Sequence, residues 1–325
     1  MELNILNIAE RIPTEADAYK FLEELRWGGS EPSCPHCGSI AAHYFLSTKD
    51  GAARKTRTGS LSQRRVWECK DCHKQFSVLT GTVMHGTKIP VRTWVFVIFE
   101  LCSSKNGVAA REVERKYHLT PTTAWFLLHR IREAMRPGEP ASLLTGRVVA
   151  DETWVGGDPE NRHGHTPRTG GQGHTDKTPV MSLVSRETGE VRSRVVANVS
   201  GRSLKAVLHE NTDPKATHLQ TDVAWAYKAI GKGYAQHTFV DHSAGEYVRD
   251  GAGTNQVENY FSQLKRSIDG THHHVSHRHL GRYLAEFDFR HSTHRLSDTI
   301  RMETLIGRVA GRRLMYSDSR QGCRA

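Results

Sequence analysis

Asp151, Asp222 and Glu258 are the side chains whose setting points most directly to chemistry. Asp151 closes a predicted strand that begins Arg147, Val148, Val149, Ala150. Asp222 closes a later one, His218 to Thr221, just before a helix opening at Trp225. Glu258 falls in a predicted helix from Asn255 to Ile268, with 70 residues between the two aspartates and 35 between Asp222 and Glu258. Three carboxylates drawn from separate elements can hold two magnesium ions, because hard cations prefer oxygen ligands and displacement at phosphorus needs both the attacking and the leaving oxygen stabilised. A single acid is more often a solvated surface group, as Glu152, Asp158, Asp241 and Asp250 illustrate, so the argument rests on the set. Glu152 points to the opposite face of its strand from Asp151. Asp241 also ends a strand and is the rival to Asp222. Lys265 follows Glu258 by seven residues, nearly two helical turns, which keeps both on one face within reach of a phosphate. Arg266 lies beside it, and the alternative for this pair is an ordinary solvated surface. No Ser-His-Asp or thiol arrangement is equally coherent.

A second chemistry resides in Cys34-Pro-His-Cys37 and Cys69-Lys-Asp-Cys72. Each motif puts two thiolates on one tight turn, and two such turns facing each other make a closed, tetrahedral, structural zinc site with no position open for catalysis. The 31 residues between Cys37 and Cys69 exceed the usual finger spacing but leave both turns intact. Four unrelated buried cysteines would be the alternative, and His36 and His73 are competing ligands. Cys102 and Cys323 stand alone, so the arrangement is not that of a secreted disulfide framework. Five histidines, His272, His273, His274, His277 and His279, form a further cluster whose alternatives are a metal site and a surface or DNA-facing role.

The elements that must position these groups can be read from periodicity. Thr14 caps a helix carrying Ala18, Phe21, Leu22 and Leu25, ended by Gly28 and Gly29. Pro90 opens a helix that is apolar on nearly every side through Trp94 to Leu101. Two helices follow, Val108 to Tyr117 and Pro121 to Met135, joined by a short turn at His118, Leu119 and Thr120. Ala124, Leu128, Ile131 and Met135 form the inner face of the second, which also bears His129, Arg130, Arg132 and Arg136. This is the pattern of a helix-turn-helix whose second helix enters the major groove, or of a plain helical hairpin with solvated charges. After Pro137, Gly138 and Pro140 the pattern becomes extended. Strands at Val180 to Ser185, Val191 to Val199, His218 to Thr221 and His237 to Val240 alternate with helices near Ser203 to Glu210 and Trp225 to Ile230, a mixed α/β order. The Gly- and His-rich stretch Gly156 to Lys177, which holds His163, His165 and His174, reads as a loop.

Composition narrows the partners. Lys and Arg number 45 against 35 Asp and Glu, a formal charge of +10 with a pI near 9.4, which calls for a polyanion, and nucleic acid before an anionic membrane. No apolar run is long enough to span a bilayer and Met1 to Glu10 carries no signal-peptide pattern, so a cytoplasmic, nucleoid-associated location is expected.

With these motifs in place the chain resembles the zinc-ribbon DDE insertion-sequence transposases, in particular the insertion sequence fifteen-ninety-five family. The resemblance covers about residues 15 to 315. It runs through Leu25-Arg26-Trp27, Phe76-Ser-Val-Leu-Thr-Gly-Thr82, Lys88-Ile-Pro90 with Trp94, and Thr123-Ala-Trp125. It continues in Ala150-Asp-Glu-Thr-Trp-Val-Gly-Gly157, Thr254-Asn-Gln-Val-Glu258, Leu264-Lys-Arg266, Gly270-Thr-His-His-His-Val-Ser276, Tyr283-Leu284 and Glu286-Phe287. It implies an RNase H-like, retroviral-integrase-type catalytic domain, the triad Asp151, Asp222 and Glu258, and the family's lysine at Lys265. Some relatives carry Asn where this chain has Glu258. Gly253 and Ser292 depart from the His and Asn expected there, and neither is a carboxylate position.

The expected organisation is multidomain α+β: an N-terminal helix over 1–30, a zinc ribbon over 31–86, a helix-turn-helix region over 87–138, the RNase H-like domain over 139–292 and a tail over 293–325. The expected activity is divalent-metal-dependent DNA cleavage and strand transfer at insertion-sequence ends. It would use two Mg2+ (or Mn2+) ions on the triad and one structural Zn2+ on Cys34, Cys37, Cys69 and Cys72. Arg130, Arg132, Arg136, Lys265 and Arg266 are the expected DNA contacts. The partners are DNA, as terminal inverted repeats and as target, and further copies of the chain on that DNA, with no membrane. The rivals are a transposase-derived DNA-binding regulator without catalysis and an RNase H-type nuclease that cuts without joining.

Overall fold

The computed structural model describes residues 2–29, 32–44, 54–55, 61–62, 64–138, 142–156, 177–241 and 253–321. The three histidines of the Gly- and His-rich stretch, together with Asp158, Asp250 and Cys323, lie outside these. The chain divides into two compact units, one of Met1–Met135 with Leu296–Tyr316, the other of Arg136–Arg295 with Ser317–Ala325.

The first unit opens with a helix additional to those read from periodicity, α1 (Ile5–Arg11), held by a capping box. The Asn4 side chain accepts from the backbone N–H groups of Leu6 and Asn7, and the Asn7 side chain accepts from that of Asn4. Thr14 caps α2 (Glu15–Trp27) by accepting from the Asp17 N–H at 3.2 Å, and Gly28 ends it at φ 66°. A three-stranded antiparallel sheet of β1 (Ala42–Tyr44), β4 (Trp67–Cys69) and β5 (Gln75–Phe76) follows, with a small hairpin of β2 (Arg54–Lys55) and β3 (Leu61–Ser62) inserted between β1 and β4. Helix α3 (Val91–Ser103) buries Trp94, Val95, Val97, Ile98 and Leu101. Pro90 precedes it as the cap residue instead of forming its first turn, and the Glu15 carboxylate accepts from the first two helical N–H groups. Helices α4 (Ala110–Tyr117) and α5 (Pro121–Met135) pack together across a turn in which His118 adopts φ 51°. Thr120 accepts from the Thr123 N–H at 3.3 Å, capping α5.

The second unit is built on a five-stranded mixed sheet. Strands β6 (Leu144–Val155), β7 (Thr178–Ser185) and β8 (Val191–Val195) form an antiparallel meander. Helix α6 (Gly201–Asn211) leads to β9 (Thr212–Asp222), which pairs parallel to β6, and α7 (Trp225–Gly231) leads to β10 (Gln236–Val240), parallel to β9. The order across the sheet is β10-β9-β6-β7-β8. Side chains alternate between its faces, so each face has its own core. Val149, Val180 and Val184 meet α8 (Asn255–Ser267) and α9 (His277–Ser292) through Val257, Leu264 and Leu284. Val148, Ala150 and Leu219 meet α6 and α7 through Leu204, Leu208 and Tyr227.

The expected tail is not a separate appendage: residues 296–316 return to the first unit. Helix α10 (Asp298–Gly307), capped by Ser297, packs on α2 and α3 with Met302, Leu305 and Ile306 inward. Beyond it Val83 donates to the Val309 carbonyl at 3.1 Å and Gly311 to that of Gly81 at 2.8 Å. Two arginines of this segment satisfy carbonyls at the ends of other helices, Arg301 at Cys102 (3.0 Å) and Arg312 at Glu133 (3.2 Å).

Candidate active site and metal centre

The four cysteines converge, with all ligand atoms within 4.8 Å of one another. The closest pairs cross between the two motifs, Cys34 Sγ to Cys72 Sγ at 3.7 Å and Cys37 Sγ to Cys69 Sγ at 3.6 Å. Zinc–sulfur bonds of about 2.3 Å in a tetrahedron require sulfurs about 3.8 Å apart, so the donor set fits one zinc ion. The two motifs are the same turn made twice. Gly38 donates to the Cys34 carbonyl at 2.8 Å and His73 to that of Cys69 at 3.0 Å. Cys34 and Cys69 each donate onward, to the carbonyls of Ser39 and Lys74. Both turns leave through a left-handed residue, Gly38 at φ 78° and His73 at φ 55°. His73 therefore serves the backbone of its turn. Hydrogen bonds from the Cys72 and Asp71 backbone help to pull the Cys69 thiol down to about 7, whereas, against a hydrogen bond from the Ser39 backbone, burial and the neighbouring thiols push Cys37 up to about 12. Cys34, Cys69 and Phe76 share a small core with Trp27 and Trp67, and Glu23 joins α2 to this module by accepting from Trp67 Nε1 (3.0 Å) and Arg65 Nε (2.8 Å).

In the second unit the register of β6 against β9 determines where the aspartates stand. The last parallel pair is Val149 with Gln220, and two residues further along each strand come Asp151 and Asp222. Both follow the parity of Val149, the face covered by α8 and α9. Asp222 ends β9, as expected. Asp151 does not end β6, because β7 goes on pairing with that strand as far as Val155 opposite Thr178. Asp151 instead stands where β6 runs past its β9 neighbour. Asp222 Oδ1 accepts from the Ala224 N–H at 3.1 Å, tying the carboxylate to the entrance of α7. Val240 pairs with Asp222 on the other side, which puts Asp241 one residue out of phase.

Glu258 lies in the first turn of α8, which packs on β6 and β7, and Thr254 Oγ1 donates to its Oε1 at 2.6 Å. Among the described residues the cysteines are the set that closes to metal-holding distances; the three carboxylates do not converge as tightly. Their oxygen donors suit a hard divalent ion. Lys265 and Arg266 are exposed further along α8.

Glu152 takes the other face, where Tyr227 of α7 donates to its Oε1. Burial pushes Glu152 up to about 7, the Tyr227 bond opposes this, and the negative charges of Asp151 and Asp222 add to it. The sequence shows Glu152 only as a neighbour of Asp151; its role as a tie between β6 and α7 needs the position of Tyr227. A second tie holds α8. Tyr260 OH donates to Asp288 Oδ1 at 2.7 Å, and Ser193 donates to the same carboxylate through its N–H (2.8 Å) and its hydroxyl (2.6 Å). Burial pushes Asp288 up to about 6 against these donations.

Two expected DNA contacts are interior residues. Arg130 is 6% exposed and Arg132 1%. Arg130 donates to the His85 carbonyl at 2.7 Å and lies over the rings of Trp94 (5.0 Å) and Phe126 (5.6 Å). Helix α5 is buried on so much of its circumference that its cations are enclosed, and its exposed residues are those of its first turn, Pro121 and Thr122. Arg136, just past α5, is half-buried. In the histidine cluster His272 packs edge-to-face against Tyr283 and Phe287, His279 lies 3.3 Å from Arg282, and His273, His274 and His277 are exposed.

Comparison with known proteins gives this arrangement a family. Residues 143–292 match the ISXO2-like transposase domain, and residues 13–75 match the transposase zinc-ribbon domain. Together they cover well over half of the chain, which belongs to this family of zinc-ribbon insertion-sequence transposases. An uncharacterized protein in transposable element ISH50 of Halobacterium salinarum is 25% identical over 302 residues, covering 90% of this chain and 96% of that protein. Among the described residues no helix is long and apolar enough to cross a membrane.

Proposed function

We propose that the protein is a DDE-type transposase that cleaves DNA at the ends of its insertion sequence and joins the freed ends to target DNA, with Asp151, Asp222 and Glu258 as the catalytic carboxylates. The observation that supports this reading is the parallel register of β6 and β9, in which each aspartate follows the last pair, Val149 with Gln220, by two residues and shares the parity of Val149, whose face α8 covers. Mixed-sheet topology with helices on both faces supports an RNase H-like domain. Two divalent cations, Mg2+ or Mn2+, held by the three carboxylates would stabilise the attacking and leaving oxygens of an in-line displacement. The chain's own groups do the rest. Asp222 is steadied by the Ala224 N–H and Glu258 by Thr254. Lys265, with Arg266, holds the phosphate backbone of the end DNA from α8, and Arg136 contributes charge at the end of α5.

The cysteines hold one structural Zn2+, and the first unit, with its α4–α5 helix-turn-helix, recognises the element's terminal inverted repeats. The active form is a homo-oligomer on DNA in the cytoplasm, at the nucleoid.

The test uses labelled end DNA, a target plasmid and magnesium or manganese, and scores nicked and joined products. Alanine at Asp151, Asp222 or Glu258 is expected to abolish both products with DNA binding intact, and the losses are expected to be non-additive because the site works as a unit. Lys265→Ala lowers activity less completely, and Asp241→Ala leaves it unchanged. Joining by Asp222→Ala together with an inactive Asp241→Ala would overturn the assignment. Full activity in chelator would remove the metal mechanism, and nicking without joining would leave a nuclease.

A further inference from the structure

Among the described residues Trp225 is the large apolar side chain most exposed to solvent, at 84%. It is the first residue of α7 and lies three residues beyond Asp222. The opposite side of that helix is anchored, with Tyr227 and Ile230 in the core and Ala224 and Ala226 packed against it. Lys228 and Lys232 are exposed three and seven residues after Trp225, so one indole and two ammonium groups share a single solvent-facing stripe. From Val223 to Val240 the sequence contains no acidic residue.

Such a stripe suits one kind of ligand. Protein interfaces are depleted in lysine, and the residues beside Trp225 on this face are lysines and a single exposed alanine, Ala229. A strand of nucleic acid offers alternating flat bases and phosphates, which match an aromatic face flanked by cations. We propose that Trp225 is a stacking platform for an unpaired base of the DNA strand whose phosphate is presented to Asp222, with Lys228 and Lys232 on the adjoining phosphates. This assignment rests on the reading of Asp151, Asp222 and Glu258 as the site that acts on DNA. A base inside a duplex has both faces covered, so the platform selects DNA that is frayed, overhanging or has a base turned out of the stack.

The experiment measures binding, so it does not depend on catalysis and is run on full-length, zinc-loaded protein with Asp151→Ala as background. The probes are a short fully paired duplex and the same duplex with a single-stranded overhang containing 2-aminopurine. Trp225→Ala is expected to weaken binding to the overhang DNA roughly 10- to 100-fold and leave the paired duplex unchanged. Trp225→Phe recovers most of the loss. Fluorescence of 2-aminopurine is quenched on binding the parent protein and not on binding Trp225→Ala. Lys228→Ala and Lys232→Ala each lower the salt slope of overhang binding by about one. Equal affinity of Trp225→Ala and its parent for the overhang DNA would overturn the proposal. So would unaltered quenching by Trp225→Ala accompanied by a lower sedimentation mass, which would assign the indole to contact between copies of the chain. Neither result bears on cleavage, which is tested separately with the carboxylate variants.

Discussion

Arg130 gives the sharpest test of the difference between a basic residue's charge and its position. Its guanidinium donates to the His85 carbonyl at 2.7 Å and stacks on Trp94 and Phe126. A charged hydrogen bond of this kind contributes about 1.5–3 kcal/mol, and a desolvated cation–π contact about 2 kcal/mol. Arg130→Ala also leaves the His85 carbonyl without this donor, so the loss is expected to reach about 3–5 kcal/mol. In calorimetry of the zinc-loaded protein this lowers the melting of the first unit by roughly 10 °C. Arg130→Lys is the more discriminating variant. Lysine keeps the charge but has neither the planar stack nor the forked donors, so it too melts well below the parent. Measured below both transitions, the dependence of DNA affinity on salt stays as in the parent, whereas Lys265→Ala lowers that slope by about one. If Arg130→Lys melts like the parent while Arg130→Ala lowers the salt slope by about one, the guanidinium faces DNA and the argument from its burial is wrong.

Three further outcomes are expected. Freshly purified protein contains about one zinc per chain by elemental analysis, and Cys34→Ser or Cys72→Ser strips the metal and unfolds the ribbon, since such sites commonly supply roughly 10–16 kcal/mol of folding energy; a zinc-free parent would contradict this. Tyr227→Phe removes the donor to Glu152, costs about 1–3 kcal/mol and raises the metal concentration needed for half-maximal cleavage, because α7 then loses its tie to β6; Glu152→Gln, which keeps an acceptor for Tyr227, is milder, and an unchanged metal titration in Tyr227→Phe would refute the link. Asp288 is raised from 3.8 to about 6, so the folded state holds its proton more tightly than the unfolded chain. The stability this contributes is complete below pH about 4 and is lost as pH rises through about 6, roughly 3 kcal/mol over that window. Denaturation curves of Asp288→Asn between those pH values are flatter than those of the parent, and parallel curves would count against it.

The parts of the site that were legible in the sequence are those fixed by local rules. Two Cys-x-x-Cys turns predict their own geometry, and period-two alternation through Val148, Val149 and Ala150 puts Asp151 and Glu152 on opposite faces before any partner strand is known. What long-range pairing decides was not legible. Asp151 looked like a strand end because nothing local reveals that β7 carries the pairing on to Val155. Arg130 and Arg132 looked exposed because charge is usually solvated. A signal was available, since Phe126 precedes Arg130 by one helical turn and apolar residues occupy more than one side of α5. Helix α10 was also visible in principle, with Ser297 as cap and Met302, Leu305 and Ile306 at helical spacing.

The return of residues 296–316 to the first unit places most of the second, residues 136–295, between the two pieces of the first. Domains generally fold in the order in which the ribosome delivers them, N-terminal first. Here that order cannot hold. When Met135 emerges, the carbonyls that Arg301 and Arg312 will satisfy still lack those donors, and Gly81 to Val83 have no strand partner from Val309 to Gly311. The unit that begins first can close only after residues 136–295, the bulk of the second, have been synthesised. A polypeptide terminated prematurely anywhere before residue 296 therefore carries the ribbon and the start of the helical bundle without the segment that closes it. Abortive translation products would be poor competitors of the finished protein, and a working fragment of the first unit must be made by splicing residue 135 to 296 through a linker, not by cutting the chain near residue 140.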